Sequence, residues 1–260
     1  MKFTIITPTL NSEKYIDNCL SSVSLQKDIF VEHIVVDGGS TDATKEIVKK
    51  FPNVKFIHLN GSSIYEALNH GINISTGDFI AFLNSDDYYE DEFVLRRVLQ
   101  FFTNNSVDIV YCDCVMVDLS GKYLYKYVSV KNLNFKIASK LIFILPHPST
   151  FFRKNVFDVI GLYDTSLKFS SDCEFILRCL VSGIKFKKFN MAAARFRRHT
   201  SNASSNPHAF NDIKTIFKKF NPALPFFYHR FLFLIYHASN FKYLNFLIIR
   251  NFKRFFKIES

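Results

Sequence analysis

A mostly parallel α/β sheet flanked by helices is predicted by two features of the first hundred residues. Short β-branched and aromatic runs alternate with segments of helical period, and each run stops at a polar or turn-forming cluster. The runs span residues 3–7, 33–37, 54–59 and 79–83, and they are apolar along their length rather than strictly alternating, as strands covered on both faces are.

Between the runs lie three helix signals. Asn11 or Ser12 is placed to cap a helix carrying Tyr15, Ile16, Cys19, Leu20 and Val23. Ser40 or Thr41 is placed to cap a second, with Ile47, Val48 and Phe51 on one face. A third covers residues 64–73, with Ile64, Leu68 and Ile72 in register. Strand–helix–strand units in this order imply parallel pairing. In such sheets ligands gather at the carboxyl ends of strands. Three segments follow strand ends here, and they are expected to converge: Thr7-Pro8-Thr9-Leu10-Asn11, Asp37-Gly38-Gly39-Ser40-Thr41-Asp42 and Asn84-Ser85-Asp86-Asp87.

Beyond residue 105 the pattern loosens. Residues 108–112, 123–130 and 141–145 read as strands, and 157–161 and 172–180 as helical. Residues 185–198 are basic and apolar by turns, and a polar linker over 199–207 leads to helical periodicity through Phe210, Ile213, Ile216, Phe217 and Phe220. The expected division is a nucleotide-binding domain over 1–200 and a basic, aromatic-rich helical extension over 201–260.

Composition narrows the class. With 48% hydrophobic residues the chain can bury a substantial core. Five cysteines give an odd count without zinc-ligand spacing, so they are read as reduced packing residues. No signal peptide and no apolar stretch of transmembrane length are recognised, and a cytoplasmic protein is expected. Residues 1–184 carry 18 Lys and Arg against 21 Asp and Glu, whereas 185–260 carry 15 against 2, so the basic character belongs to the tail.

Two carboxylate sites could carry chemistry. Asp86-Asp87 directly follows an apolar strand, and adjacent carboxylates repel unless a cation offsets them. A divalent ion shared with nucleotide phosphates fits; an Asp-rich turn capping a helix near Glu92 is the structural alternative. Asp37, ahead of two glycines, could accept hydrogen bonds from a base or ribose, or simply close a strand–helix turn. No G-x-G-x-x-G or P-loop is present. Asp172 is placed to cap a helix ahead of Phe175 and Ile176. His147 could approach a diphosphate or be an ordinary half-buried histidine. Arg195, Arg197, Arg198 and His199 could close over phosphates or form a solvated basic face.

Taken together, Ile5-Ile6-Thr7-Pro8-Thr9-Leu10-Asn11, Ile34-Val35-Val36-Asp37-Gly38-Gly39-Ser40-Thr41-Asp42 and Thr76-Gly77-Asp78 through Leu83-Asn84-Ser85-Asp86-Asp87 resemble family 2 glycosyltransferases of the GT-A fold, of bacterial surface-polysaccharide type. A weaker resemblance runs through His147-Pro148-Ser149-Thr150 to Ser171-Asp172-Cys173-Glu174-Phe175. It implies that Thr7, Pro8, Thr9, Asn11 and Glu13 line a nucleotide pocket, with Gly38, Ser40, Asn69 and Asn84 as further donor contacts. Asp37 would read the base, usually uracil. Asp86 and Asp87 would form the acidic motif, one touching ribose and one a Mn²⁺ or Mg²⁺ ion. Asp172 would be the general base of an inverting, single-displacement transfer from a nucleotide-sugar, and a UDP-sugar is expected. The sequence departs from many relatives at Gly61-Ser62-Ser63, where they carry Asp-Lys-Gly, and at Asn84, where Asp is common.

The tail mixes Phe, Leu and Ile with basic residues. It is read as a peripheral contact with an anionic membrane, with a core-completing helical subdomain as the alternative; no nucleic-acid partner is expected. With membrane contact, the implied acceptor is a lipid-linked glycan. The rival functions are a nucleotidyltransferase, for which no Gly-rich triphosphate loop is visible, and a non-catalytic, membrane-associated nucleotide-sugar-binding protein.

Overall fold

The computed structural model describes residues 1–141, 145–199, 202 and 209–226. Nine strands of these residues form one sheet. They are β1 (Lys2–Thr9), β2 (Phe30–Asp37), β3 (Val54–His58), β4 (Phe79–Phe82), β5 (Tyr88–Tyr89), β6 (Ile109–Val117), β7 (Tyr123–Tyr127), β8 (Thr150–Arg153) and β9 (Phe186–Arg197). The helices are α1 (Ile16–Ser24), α2 (Thr44–Val48), α3 (Ile64–Ile74), α4 (Val94–Thr103), α5 (Phe135–Leu141), α6 (Asn155–Ile160), α7 (Ser171–Val181) and α8 (Ala209–Phe220).

The strand order is β3-β2-β1-β4-β8-β6-β9-β5, with β7 beside β6. The parallel pairing expected from the sequence holds for β3-β2-β1-β4. Past β4 the sheet is mixed: β8 is antiparallel to both β4 and β6, while β9 runs parallel to β6. β7 is antiparallel to β6 across the short connection 118–122, as a hairpin-type link permits.

Two faces of β1–β4 bury separate cores. Val35 packs with Ile16, Leu20 and Val48 under α1 and α2. Ile34 and Val36 face Ala67 of α3. Continuous apolar strands follow directly from this double cover. Gly71 permits the close approach of α3: a Cβ there would lie 2.5 Å from the Ile6 side chain.

The order 3-2-1-4 places a switch point between β1 and β4. Their ladder ends at Ile6↔Phe82, and the Ile6 carbonyl accepts from the Leu83 N–H. Pro8 faces the same side one step further, where the ladder has stopped and no N–H is needed. A crevice therefore opens at the carboxyl ends of these two strands, where ligands bind in open α/β sheets.

Several local expectations are corrected. α1 begins at Ile16 without a side-chain cap, and α2 begins at Thr44 behind Ala43, so Asn11, Ser12, Ser40 and Thr41 cap nothing. Their polar groups join the loops to each other instead. Leu141, read as the start of a strand, ends α5; residues 142–144 lie outside the described residues. The capping box of α3, Ser63 with Glu66, was not read from the sequence.

Of the extension, α8 is described, and it completes the core. Ile216 and Phe217 are buried with Tyr111, Ala138 and Leu177. Residues 227–260 lie outside the described residues. Among the described residues no helix is long and apolar enough to cross a membrane.

Candidate functional site: a strand-end crevice and a carboxylate pocket

The loops after β1 and β2 are tied into one wall. Asn11 adopts a left-handed backbone (φ 49°). Its N–H donates to Ser40 Oγ at 2.8 Å, and its Oδ1 accepts from the Thr41 N–H at 2.9 Å. The Ser12 N–H donates to Thr44 Oγ1, the Glu13 N–H to Asp42 Oδ2, and Glu13 Oε2 accepts from the Ala43 N–H. Asp37 ends β2 almost fully buried and accepts from the Gly39 and Ser40 N–H groups and from Ser40 Oγ. His58 at the end of β3 lies 3.1 Å from Asp37 Oδ2. Gly39 closes this turn with φ +108°, a conformation that side chains resist.

The floor of this wall holds two hydroxyls. Thr9 Oγ1 and Ser62 Oγ are buried and have no hydrogen-bond partner among the described residues. Both flank Gly38, where an added Cβ would meet Ser62 O at 3.3 Å and Thr9 O at 3.6 Å. Buried orphan hydroxyls are unusual, and they are often sites where a ligand supplies the partner.

The acidic loop after β4 is locked by the end of β9. Asp87 is 1% exposed. Its Oδ1 accepts from the Arg197 N–H at 3.0 Å, and its Oδ2 accepts from the Asn84 amide at 3.2 Å. Burial, and after it the neighbouring Asp86 charge, pushes the Asp87 carboxyl well above the usual carboxylate range. Asp86 points elsewhere: its Oδ2 lies 2.7 Å from His199 Nε2 and 3.3 Å from Asn202 Nδ2. The Arg197 guanidinium donates to the Asp86 and Leu119 carbonyls and lies over the rings of Tyr15 and Tyr88. A helix-capping role for Asp86-Asp87 is thereby excluded, since α4 starts behind Phe93 without a side-chain cap.

Asp172 sits in the first turn of α7, behind Ser170, and does not cap it. Its Oδ1 accepts from Tyr65 Oη at 2.9 Å. It lines a pocket with Ala138, Leu145, His147, Tyr163, Ile176 and Leu177. The His147 ring stacks 4.8 Å from Phe82, the last residue of β4, and its Nε2 lies 3.0 Å from Tyr163 Oη. Burial lowers the His147 pKa, with the Asp172 charge opposing, so the ring is held toward its neutral form. Phe82 thus joins the two sites: His147 and the Asp172 pocket lie beside it, and Asp86 follows four residues later at the same strand end.

Residues 4–161 match glycosyl transferase family 2. The chain belongs to that family. Over 183 residues it is 32% identical to a PGL/p-HBAD biosynthesis glycosyltransferase of Mycobacterium tuberculosis, covering 68% of this chain and 69% of the relative. It is 28% identical over 227 residues to the poly(ribitol-phosphate) beta-N-acetylglucosaminyltransferase TarS of Staphylococcus aureus, covering 82% of this chain and 39% of TarS. The S. aureus TarS 1-349 structure in complex with UDP-GlcNAc superposes with a TM-score of 0.69 at 24% identity, covering 90% of this chain and 70% of that one. A mannosyltransferase of Pyrobaculum calidifontis, solved with GDP-Man and Mn2+, gives 0.60 at 15% identity, covering 99% and 88%. These likenesses fix the GT-A fold.

In this family 2 glycosyltransferase the residues named from the sequence separate by depth. Asn11, Glu13, Gly38 and Ser40 lie in the partly open wall, and Asp86 and Asn84 in the acidic loop, with neither fully buried. The Thr7 side chain is fully buried, with Oγ1 2.9 Å from His33 Nε2. Both ends of the Asn69 amide pair with the Tyr163 backbone. Asp37 has both oxygens satisfied within its own turn. The expected solvated basic face is also overturned: Arg197 is 2% exposed and Arg195 forms a bidentate pair with Glu90. His199 was named only among phosphate-closing candidates, and Tyr65 and Asn202 were missed, because their partners lie 113, 107 and 116 residues away.

Proposed function

We propose that this glycosyltransferase is inverting and moves a sugar from a UDP-activated donor to an acceptor hydroxyl, with Asp172 as the general base. The carrying observation is a pair of differently built carboxylates linked through Phe82 at the end of β4: Asp86 follows it in the chain, and His147, stacked on it, shares a pocket with Asp172. Asp86 faces polar neighbours beside the nucleotide wall, and Asp172 faces a mostly apolar pocket.

The donor nucleotide would occupy the crevice between the β1 and β4 ends. The Asn11, Gly38 and Ser40 loops line it, and the Thr9 and Ser62 hydroxyls lie at its floor. The UDP and UDP-GlcNAc complexes of TarS support a uridine donor.

Among the described residues no group of three or more His, Cys, Asp or Glu side chains is arranged around a metal position. The donor set still fits a hard ion completed by a diphosphate and water. Asp86 Oδ1 carries no hydrogen bond among the described residues, and His199 stands 2.7 Å from Oδ2. Asp86 and His199 would hold a Mn²⁺ or Mg²⁺ ion, which supplies charge neutralisation for the departing diphosphate. Asp87, with both oxygens engaged, positions the loop rather than ligating.

On the reaction side, the acceptor oxygen forms a bond to the anomeric carbon as the bond to the diphosphate oxygen breaks. The hydroxyl proton passes to Asp172, and UDP leaves with the bonding pair. The pocket around Asp172 contains no second carboxylate among its lining residues, and burial holds the Cys173 thiol protonated. Both facts support a single displacement, because a double displacement needs a nucleophile of its own.

The acceptor in this reading is a hydroxyl of a cell-envelope glycan or carrier-linked glycolipid, reached from the apolar side of the pocket. The PGL/p-HBAD biosynthesis role of the mycobacterial relative and the poly(ribitol-phosphate) acceptor of TarS support that class. Peripheral contact with an anionic membrane through the basic extension belongs to the same reading, and co-sedimentation with phosphatidylglycerol vesicles tests it.

The test of the whole is a transfer reaction with UDP-sugars and Mn²⁺, followed by NMR of the product. An anomeric configuration opposite to that of the donor is expected. Retention of configuration, or no turnover of any nucleotide-sugar, would overturn it.

A further inference from the structure

Tyr65 reaches Asp172 from α3, on the side of the molecule that carries the Gly38 and Gly61 loops. It is the second residue of α3, and its side chain is almost fully buried. Its Oη donates to Asp172 Oδ1 at 2.9 Å across 107 residues of sequence. The ring is fixed against Tyr163, with centroids 5.5 Å apart.

The first turn of α3 is held equally firmly. Ser63 accepts from the Glu66 N–H, and the Ser63 N–H donates to Glu66 Oε2 at 2.7 Å. Just before it, the Gly61 N–H donates to the Gly38 carbonyl at 2.9 Å, in the nucleotide wall. The backbone that forms the donor floor therefore also sets the position of the Tyr65 hydroxyl.

We infer that Tyr65 is a positioning residue for the reaction, aiming the Asp172 carboxylate and coupling its placement to the donor-side loop. This rests on Asp172 being the base.

The surroundings leave few alternatives for that task. The titratable groups facing Asp172 are Tyr65 from α3, His147 from the turn before β8, Tyr163 from the segment before α7, and Cys173 from α7 itself. No Lys or Arg forms an ion pair with Asp172 among the described residues. Burial, and then the Asp172 charge, raises the Tyr65 phenol well above its ordinary value, so it remains a donor. A donor to a carboxylate favours the ionised form. Tyr65 donates to Oδ1 and so fixes the orientation of the carboxylate that is to receive the acceptor proton.

The test compares Tyr65→Phe with Asp172→Asn in steady-state transfer. Tyr65→Phe keeps the ring packing. It should lower kcat by about 10- to 100-fold, the size expected for a hydrogen bond to a charged group. KM for the donor should stay within about twofold, because uniform binding is untouched. The acidic limb of the kcat/KM profile should move to higher pH, since the carboxylate loses a donor. A ring-fluorinated tyrosine at position 65, a stronger donor of the same shape, should move the limb the other way. A merely structural Tyr65 would lower the melting temperature without moving the limb. If Asp172→Asn keeps transfer activity, the base assignment and this inference both fail. If Asp172→Asn is inactive while Tyr65→Phe keeps the wild-type rate and limb, the inference alone fails.

Discussion

The two halves of the sheet are built on different rules. Residues 1–87 form parallel strands whose polar loops each follow an apolar run, so their site groups are close in sequence to the strands that carry them. The half beyond residue 105 supplies Asp172, Arg197 and His199 through an antiparallel and mixed arrangement, and each reaches the site by a contact more than a hundred residues long. The first half offers a nucleotide a wall of backbone amides and hydroxyls. The second locks the acidic loop and, in the proposed function, adds the base Asp172 and the metal ligand His199. Binding and chemistry should therefore be separable by mutation.

The largest expected effect lies in the chemistry. Asp172→Asn should lower transfer by about 10²- to 10⁴-fold, the range of a lost general base, in a single-turnover assay. Next comes the stability of the second half. Phe217 is fully buried against the core of the domain. Phe217→Ala should cost about 3–5 kcal/mol in urea unfolding, and a two-state transition with a lowered midpoint would show that α8 unfolds with the sheet. Glu174, fully buried between Arg178 and Lys219, is of similar weight: Glu174→Ala leaves Arg178 without its carboxylate and should cost about 3 kcal/mol.

The smaller effects sharpen the first half. Thr7→Val removes the hydroxyl that pairs His33 and should cost about 1–3 kcal/mol, while donor affinity measured by calorimetry stays unchanged. A loss of donor affinity would place Thr7 in the nucleotide pocket. His33 itself gives a pH signature. Burial pushes its pKa down to about 3, so the unfolded chain binds a proton that the folded chain refuses as pH falls below the ordinary histidine value. Stability should then decline by about 1 kcal/mol between pH 7 and 5.5, and His33→Gln should flatten that slope.

The N-terminal half was legible because each signal there is local. Apolar runs ended at Pro8, Gly38 or Asn84, and the rule for parallel sheets placed their loops together before any contact was known. What the local pattern did not carry there was depth. Thr7 ends an apolar run beside a polar loop, yet its hydroxyl is sealed against His33, a partner 26 residues away that the local pattern does not mark. Asn69 looked like a donor contact, yet its amide is consumed by the Tyr163 backbone. In the second half Asp172 was found only through resemblance. Nothing around it in sequence indicates Tyr65 or His147, and long-range packing chooses those partners. The basic run ending in Arg197 resembled a solvated face because charge alone does not reveal that its guanidinium is enclosed by Tyr15, Tyr88 and two carbonyls.

Calorimetric titration of UDP-GlcNAc, with and without Mn²⁺, into wild type, Asp86→Ala and Asp172→Asn tests this separation most directly. Metal-dependent binding should be kept in Asp172→Asn, which no longer turns over, and lost in Asp86→Ala. Binding that survives in Asp86→Ala, or that disappears in Asp172→Asn while the protein remains folded, would contradict a donor site built by the first half and a base supplied by the second.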